Sequence, residues 1–79
     1  MLETTQKTLE QVFRAVLEVP DGVDVGTVRQ VSQPNWDSLA HVSLVLAVEN
    51  EFNLSIDVAD SIELTSFQAF ALFLEEKGL

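Results

Sequence analysis

Apolar residues recur along the first part of the chain with the spacing of an α-helix. From about Thr4 to Leu17 they fall three and four residues apart and share one helix face: Leu9, Val12, Phe13, Val16 and Leu17. The segment is followed by Pro20-Asp21-Gly22, whose residue types are typical of a turn. The pattern therefore predicts a first helix that ends before this turn.

The apolar pattern weakens between Val23 and Trp36, where Gly26, Pro34 and Asn35 interrupt the valines. The β-branched residues would suit a strand, but a single strand would have no pairing partner in this chain. We interpret the segment as a long connecting loop that lays its valines on the core, with room for a short helical turn. Long loops in compact domains are often functional.

Three further segments have the pattern of helices. The strongest runs from Ser38 to about Asn53, and Asp37 before it can cap the free amides of its first turn. Residues 56–62 can form one or two helical turns. The last helix begins at Thr65-Ser66-Phe67-Gln68, which fits a capping box, and ends near Gly78. The chain is thus predicted to be all-α, a single domain over residues 1–79 with three main helices and one short one.

The central helix has two apolar faces on a helical wheel. Leu44, Val48 and Phe52 form one stripe, with Ala47 beside it, and we assign this stripe to the core. The second stripe consists of Leu39, Val42 and Leu46, flanked by Ser38 and Glu49. Either this helix is buried on both sides, or the second stripe is an exposed apolar patch that marks a binding surface.

The composition excludes or disfavours several classes of function. Of 79 residues, 13 are acidic and 4 are basic, so the net charge is −9, which disfavours nucleic acid as a partner. Apolar runs fall far short of the ~20 residues of a membrane span. The absence of cysteine excludes disulfides and thiolate metal sites. The acidic residues do not have the spacing of a calcium-binding loop, and the single histidine has no companion ligand. The N-terminus lacks signal-peptide features, so a cytoplasmic location is expected.

The segment Asp37-Ser38-Leu39, at the start of an amphipathic helix, resembles the Asp-Ser-Leu motif of acyl carrier proteins. The resemblance continues through Phe52, then through Ile56 and the step at residues 64–67 into the last helix. Length, acidity and helix order fit as well, so the resemblance covers essentially the whole chain. It implies a free-standing carrier of this family, with the family's small helical bundle.

The resemblance also implies a chemistry. In the family, a phosphopantetheinyl transferase attaches 4'-phosphopantetheine from coenzyme A to the motif serine, here Ser38, and the thiol of the arm carries acyl groups as thioesters. Asp37 matches the motif aspartate, which the family links to metal-assisted transfer. Leu39, Val42 and Leu46 match positions that contact partner enzymes. A chain without cysteine has to import such a thiol.

Acidic side chains on and after the central helix, Glu49 among them, are expected to dock on basic patches of acyl-loading and acyl-processing enzymes. The alternative for each is a solvated acidic face. The resemblance implies a monomeric carrier rather than an enzyme, so no catalytic residue is assigned.

The chain departs from the family pattern beside the motif. Many carriers have glycine two places before the aspartate, whereas this chain has Asn35 and then Trp36. Trp36 either packs the loop against the bundle, which we prefer, or forms part of a docking surface. The first turns of the central helix are also less acidic than in fatty-acid carriers. Fatty-acid, polyketide and other secondary-metabolite pathways therefore stay open, and peptidyl and D-alanyl carriers share the fold.

Two other functions compete with the carrier hypothesis. Asp37, Ser38 and His41 resemble the residue types of a hydrolase triad, but a triad needs an oriented base and an oxyanion hole, and no nucleophile elbow is present. We expect His41 to be a surface or rim residue, with contact to the phosphate of the arm as a weaker hypothesis. The second competitor is an interaction module without a prosthetic group, which would grip a partner through the second apolar stripe. Covalent modification of Ser38 discriminates between them.

Overall fold

The structure, a computed structural model, describes residues 2–79 as a bundle of four α-helices. They are α1 (Glu3–Leu17), α2 (Ser38–Phe52), α3 (Val58–Glu63) and α4 (Phe67–Glu76). The all-α prediction of three main helices and one short helix is confirmed. None of the helices in this part of the chain is long and apolar enough to cross a membrane.

Edge-to-face aromatic contacts join the helices at the centre of the bundle. Phe13 of α1 is fully buried, and its ring centroid lies 5.1 Å from that of Phe67 and 5.3 Å from that of Phe70, both on α4. Trp36, from the loop before α2, adds a third such contact at 5.5 Å. The apolar face of α1 therefore organises the core, as its periodicity predicts.

The connecting loop differs in part from its prediction. It contains two short 3₁₀ turns, at Val25–Thr27 and Gln30–Ser32. Val25 and Val28 are buried, so the loop lays valines on the core as expected, whereas Val23 and Val31 are exposed. An isolated antiparallel bridge joins residue 29 to residue 66, but no strand forms among the described residues, as predicted.

The N-terminus of α4 differs from the capping box predicted for it. The N-cap is Ser66, whose Oγ accepts a hydrogen bond of 3.0 Å from the amide of Ala69, so the capping box from Thr65 to Gln68 is wrong. The Gln68 side chain instead donates to the carbonyl oxygen of Gly26, at 3.2 Å. The Gln68 side chain thus bonds to the connecting loop and not to the N-terminal backbone of its own helix.

Candidate functional site

The hydroxyl of Ser38 lies in the first turn of α2 and is exposed. Asp37 is the N-cap, as predicted, because its Oδ1 accepts a hydrogen bond of 2.8 Å from the amide of Ala40. Its carbonyl oxygen accepts the first bond of the helix, from the amide of His41 at 2.9 Å. The amides of Ser38 and Leu39, which precede these donors, are at the positive end of the helix dipole.

The loop before this turn is anchored to α1. The carbonyl oxygen of Leu17, at the end of α1, accepts hydrogen bonds from the side chains of Asn35 at 2.9 Å and Gln33 at 3.4 Å. Trp36 is 3% exposed and packs against Phe13. The preferred prediction for Trp36, that it packs the loop against the bundle, is confirmed. The loop that leads to Ser38 is therefore held in place by the buried Trp36 and by hydrogen bonds to α1, while Ser38 itself faces solvent.

His41 is half-buried and engaged through both ring nitrogens. Its Nδ1 accepts a hydrogen bond of 3.1 Å from Nε1 of Trp36, and its Nε2 lies 2.9 Å from the carbonyl oxygen of Ser61 and 3.1 Å from its Oγ. The ring also stacks on Trp36, with centroids 6.0 Å apart. His41 is a rim residue, as expected, but its nitrogens bind the loop and α3. In this arrangement neither nitrogen is available to activate Ser38 or to contact a phosphate.

The two stripes of α2 have different environments. Leu44 and Val48 are fully buried, and Phe52 is partly buried against the core. Leu39, Val42 and Leu46 are 76%, 55% and 58% exposed. The hypothesis of an exposed apolar patch beside Ser38 is thus confirmed, and burial of α2 on both sides is excluded. We call these three residues the α2 stripe.

A second exposed apolar pair lies on α3 and was not predicted from the sequence. Val58 and Ile62 are 77% and 69% exposed and lie one helical turn apart. Their spacing of four residues between polar neighbours is the signal that could have revealed them. An apolar pair at this spacing in a six-residue helix indicates a shared face, although it leaves open whether that face is buried.

The acidic side chains differ in how free they are. Glu49 is half-buried, and its Oε2 accepts a hydrogen bond of 2.7 Å from the amide of Ile56, which closes the turn after α2. Asp57 caps α3 by accepting a bond of 2.8 Å from the amide of Asp60. Both carboxylates therefore have a structural contact as well as their charge. Glu51 is exposed on α2.

Two proteins named acyl carrier protein match this chain. Acyl carrier protein 1, chloroplastic, from Hordeum vulgare is 31% identical over 94% of the chain and 49% of its own length. The acyl carrier protein of Bdellovibrio bacteriovorus is 48% identical over 53% of the chain and 54% of its own length. The chain belongs to the acyl carrier protein family.

Within this family match, the chain spans about half the length of the curated relatives. No family model and no solved structure matches it significantly. Family membership gives no direct evidence on the role of the exposed serine of α2 and of its apolar neighbours.

Proposed function

We propose that this protein carries acyl groups as thioesters on a 4'-phosphopantetheine arm attached to Ser38. The observation that carries the proposal is the exposed Ser38 hydroxyl at the N-terminal turn of α2, directly beside the α2 stripe. A serine at this place is open to a modifying enzyme, and an attached arm would extend into solvent. The apolar neighbours offer that enzyme a surface to bind.

The residues around Ser38 fit a phosphodiester. Amide hydrogens and the positive end of the helix dipole favour an anion at the start of α2. The Asp37 side chain bonds to Ala40, one turn into the helix, so it organises the turn. When bound, the arm supplies the thiol that a chain without cysteine lacks. Trp36 and His41 hold the neighbouring backbone in place through their ring contacts and hydrogen bonds.

The proposed modification transfers one phosphopantetheinyl group from coenzyme A to Ser38. The Oγ of Ser38 attacks the coenzyme A phosphorus that bears the pantetheine chain, and a phosphodiester bond forms. The P–O bond of the diphosphate breaks, and adenosine 3',5'-bisphosphate leaves. The proton of the hydroxyl passes to a base of the transferase. Asp37 is proposed to assist metal binding in that complex, besides its capping bond.

The proposed partners are a phosphopantetheinyl transferase and the enzymes that load and process the acyl group. The α2 stripe supplies apolar contact, and a net charge of −9 favours basic patches on those enzymes. Glu49 is included in the proposed partner surface, although its carboxylate also bonds to Ile56. We therefore propose a monomeric carrier of fatty-acid, polyketide or related intermediates. We further propose that it is located in the cytoplasm and is not itself an enzyme. Peptidyl or D-alanyl carriage is the nearest variant.

A second candidate function is favoured by one observation. The α2 stripe is exposed in the chain without any modification of Ser38, so it can bind a partner helix by itself. In that case the protein is an interaction module without a prosthetic group.

Intact-mass spectrometry after incubation with coenzyme A, magnesium and a promiscuous phosphopantetheinyl transferase tests the proposal. We expect one added phosphopantetheine on the wild type and none on Ser38→Ala. The control variant should fold normally, because the hydroxyl of Ser38 is exposed. Modification of Ser38→Ala would show that the site is wrong. A folded wild type that accepts no arm would favour the interaction module.

A further inference from the structure

Two rings lie on either side of the turn that contains Ser38. Trp36 directly precedes the N-cap of α2, and His41 is the fourth residue of the helix. Side chains at these two positions often pack together, and the contact fixes the angle at which the chain enters a helix. Here the rings stack, with centroids 6.0 Å apart and 21° between their planes. We call Trp36 and His41 the ring pair.

A hydrogen bond reinforces this stacking. The indole of Trp36 can only donate, and its Nε1 donates to Nδ1 of His41 over 3.1 Å. The proton of the neutral imidazole therefore lies on Nε2, which donates to the carbonyl oxygen of Ser61 at 2.9 Å. In the other tautomer, two donors would face each other between the rings. The two bonds thus select one tautomer and hold the imidazole from both sides.

The core of the bundle fixes the other ring of the pair. The buried indole of Trp36 meets the ring of Phe13 on α1 edge to face, with 5.5 Å between their centroids. It also lies 6.3 Å from the ring of Phe70 on α4. The side chain of Ser38, by contrast, is exposed. The place of the Ser38 hydroxyl therefore depends on the backbone that the ring pair holds against the core.

We propose that His41 is a positioning residue for the modification of Ser38. By accepting the bond from Trp36, it fixes the entry of the chain into α2 and hence the place of the Ser38 hydroxyl before the phosphorus of coenzyme A. This inference rests on the proposed function. Both ring nitrogens of His41 are engaged elsewhere, so it acts through the backbone and not on the hydroxyl itself. Misplacement of a reacting atom by 1 Å can slow a reaction by about 100-fold.

The expected signature is a lower kcat with an unchanged KM. The apolar side chains of the α2 stripe take no part in the ring pair, so the surface proposed for the transferase should be retained when the bond is lost. Poorer alignment of the hydroxyl slows the transfer step instead. The loss of one neutral hydrogen bond corresponds to a fall of about 2- to 10-fold.

Two substitutions of His41 separate its bonds. In His41→Asn, the amide oxygen can take the place of Nδ1 and accept from Trp36, but the side chain is too short for Ser61. In His41→Gln, the amide nitrogen can reach Ser61, whereas the acceptor for Trp36 is lost. Both variants lose the stacked ring, so the difference between them measures the bond to Trp36. Ser43→Ala, at an exposed position of α2, is the control for substitution in this helix.

Single-turnover modification by the transferase, at varied concentrations of the protein, tests the positioning role. At saturation we expect His41→Gln to react about 2- to 10-fold more slowly than the wild type, with the same half-saturating concentration. His41→Asn and Ser43→Ala should stay near the wild type. Trp36→Phe keeps a ring but loses the donor, so His41→Gln should have a smaller effect in its background. Equal rates of His41→Asn and His41→Gln, or a change in the half-saturating concentration alone, would overturn the role.

NMR without the transferase separates this role from the proposed function. The indole N–H signal of Trp36, the single tryptophan, should shift in His41→Gln and stay near wild type in His41→Asn. The amide of Ala40, which bonds to Asp37, should exchange about 2- to 10-fold faster in His41→Gln than in His41→Asn. Equal signals and equal exchange in the two variants would overturn the role of His41. A wild type that is never modified would refute the proposed function, and the NMR data would still decide whether His41 fixes this turn.

Discussion

The carboxylate of Asp37 caps α2 and is also proposed to assist the transfer reaction, and one pair of substitutions separates these roles. Asp37→Ala removes the acceptor of the 2.8 Å bond from the amide of Ala40. Loss of an N-cap side chain costs about 1 kcal/mol, within a range of roughly 0.5–2 kcal/mol. In a domain of this size, 1 kcal/mol corresponds to a fall in Tm of about 4–8 °C.

Asp37→Asn keeps an oxygen that can accept the same bond, and asparagine is as good an N-cap as aspartate. We therefore expect its Tm to stay close to that of the wild type, while Asp37→Ala melts earlier. Thermal unfolding followed by circular dichroism measures both. If the charge of Asp37 is needed for metal-assisted transfer, Asp37→Asn will be folded and yet be modified at Ser38 slowly.

Capping of α2 by Asp37 requires that Asp37→Ala be less stable than Asp37→Asn. A wild-type Tm in Asp37→Ala, or equal destabilisation by the two variants, would refute it. Normal modification of Asp37→Asn would leave the cap as the only role of the side chain. The two readouts are independent because stability is measured without the transferase.

Two further predictions concern α2. Leu46→Arg should change the free energy of unfolding by less than about 0.5 kcal/mol, because the side chain is exposed. It should also raise the KM of the transferase. The matched core variant Leu44→Ala should lower the free energy of unfolding by about 2–5 kcal/mol. Urea unfolding measures both, and gross unfolding of Leu46→Arg would contradict the assignment of the stripe. Glu49→Ala should lower stability by about 1 kcal/mol through loss of its bond to Ile56, and Glu49→Gln by less. Equal stability of the two Glu49 variants would show that this bond contributes nothing.

Local interactions made much of the fold predictable. The face of α1 that contains Phe13 follows from side chains three and four residues apart, and the cap at Asp37 follows from a carboxylate within reach of amides in the next turn. These features depend on neighbours in sequence, so the sequence contains the information directly. The position of Ser38 at the start of a helix was predictable for the same reason.

Tertiary contacts decided what the local pattern left open. Gln68 bonds to Gly26, 42 positions away, and so it does not complete a capping box. His41 meets Ser61 across 20 positions, a pairing with no local signal. Such contacts depend on how the helices pack, and periodicity within one helix does not encode this.

The two apolar faces of α2 show the same division. The sequence by itself determined that the helix has two faces and that Leu46 belongs to one and Leu44 to the other. Only the tertiary structure decided whether the second face is exposed, because burial requires a neighbouring element. The apolar faces of the other elements cover the side of Leu44, and no described residue covers Leu46 to the same extent. Hydrophobic burial acts between elements, so a single helix pattern cannot specify it.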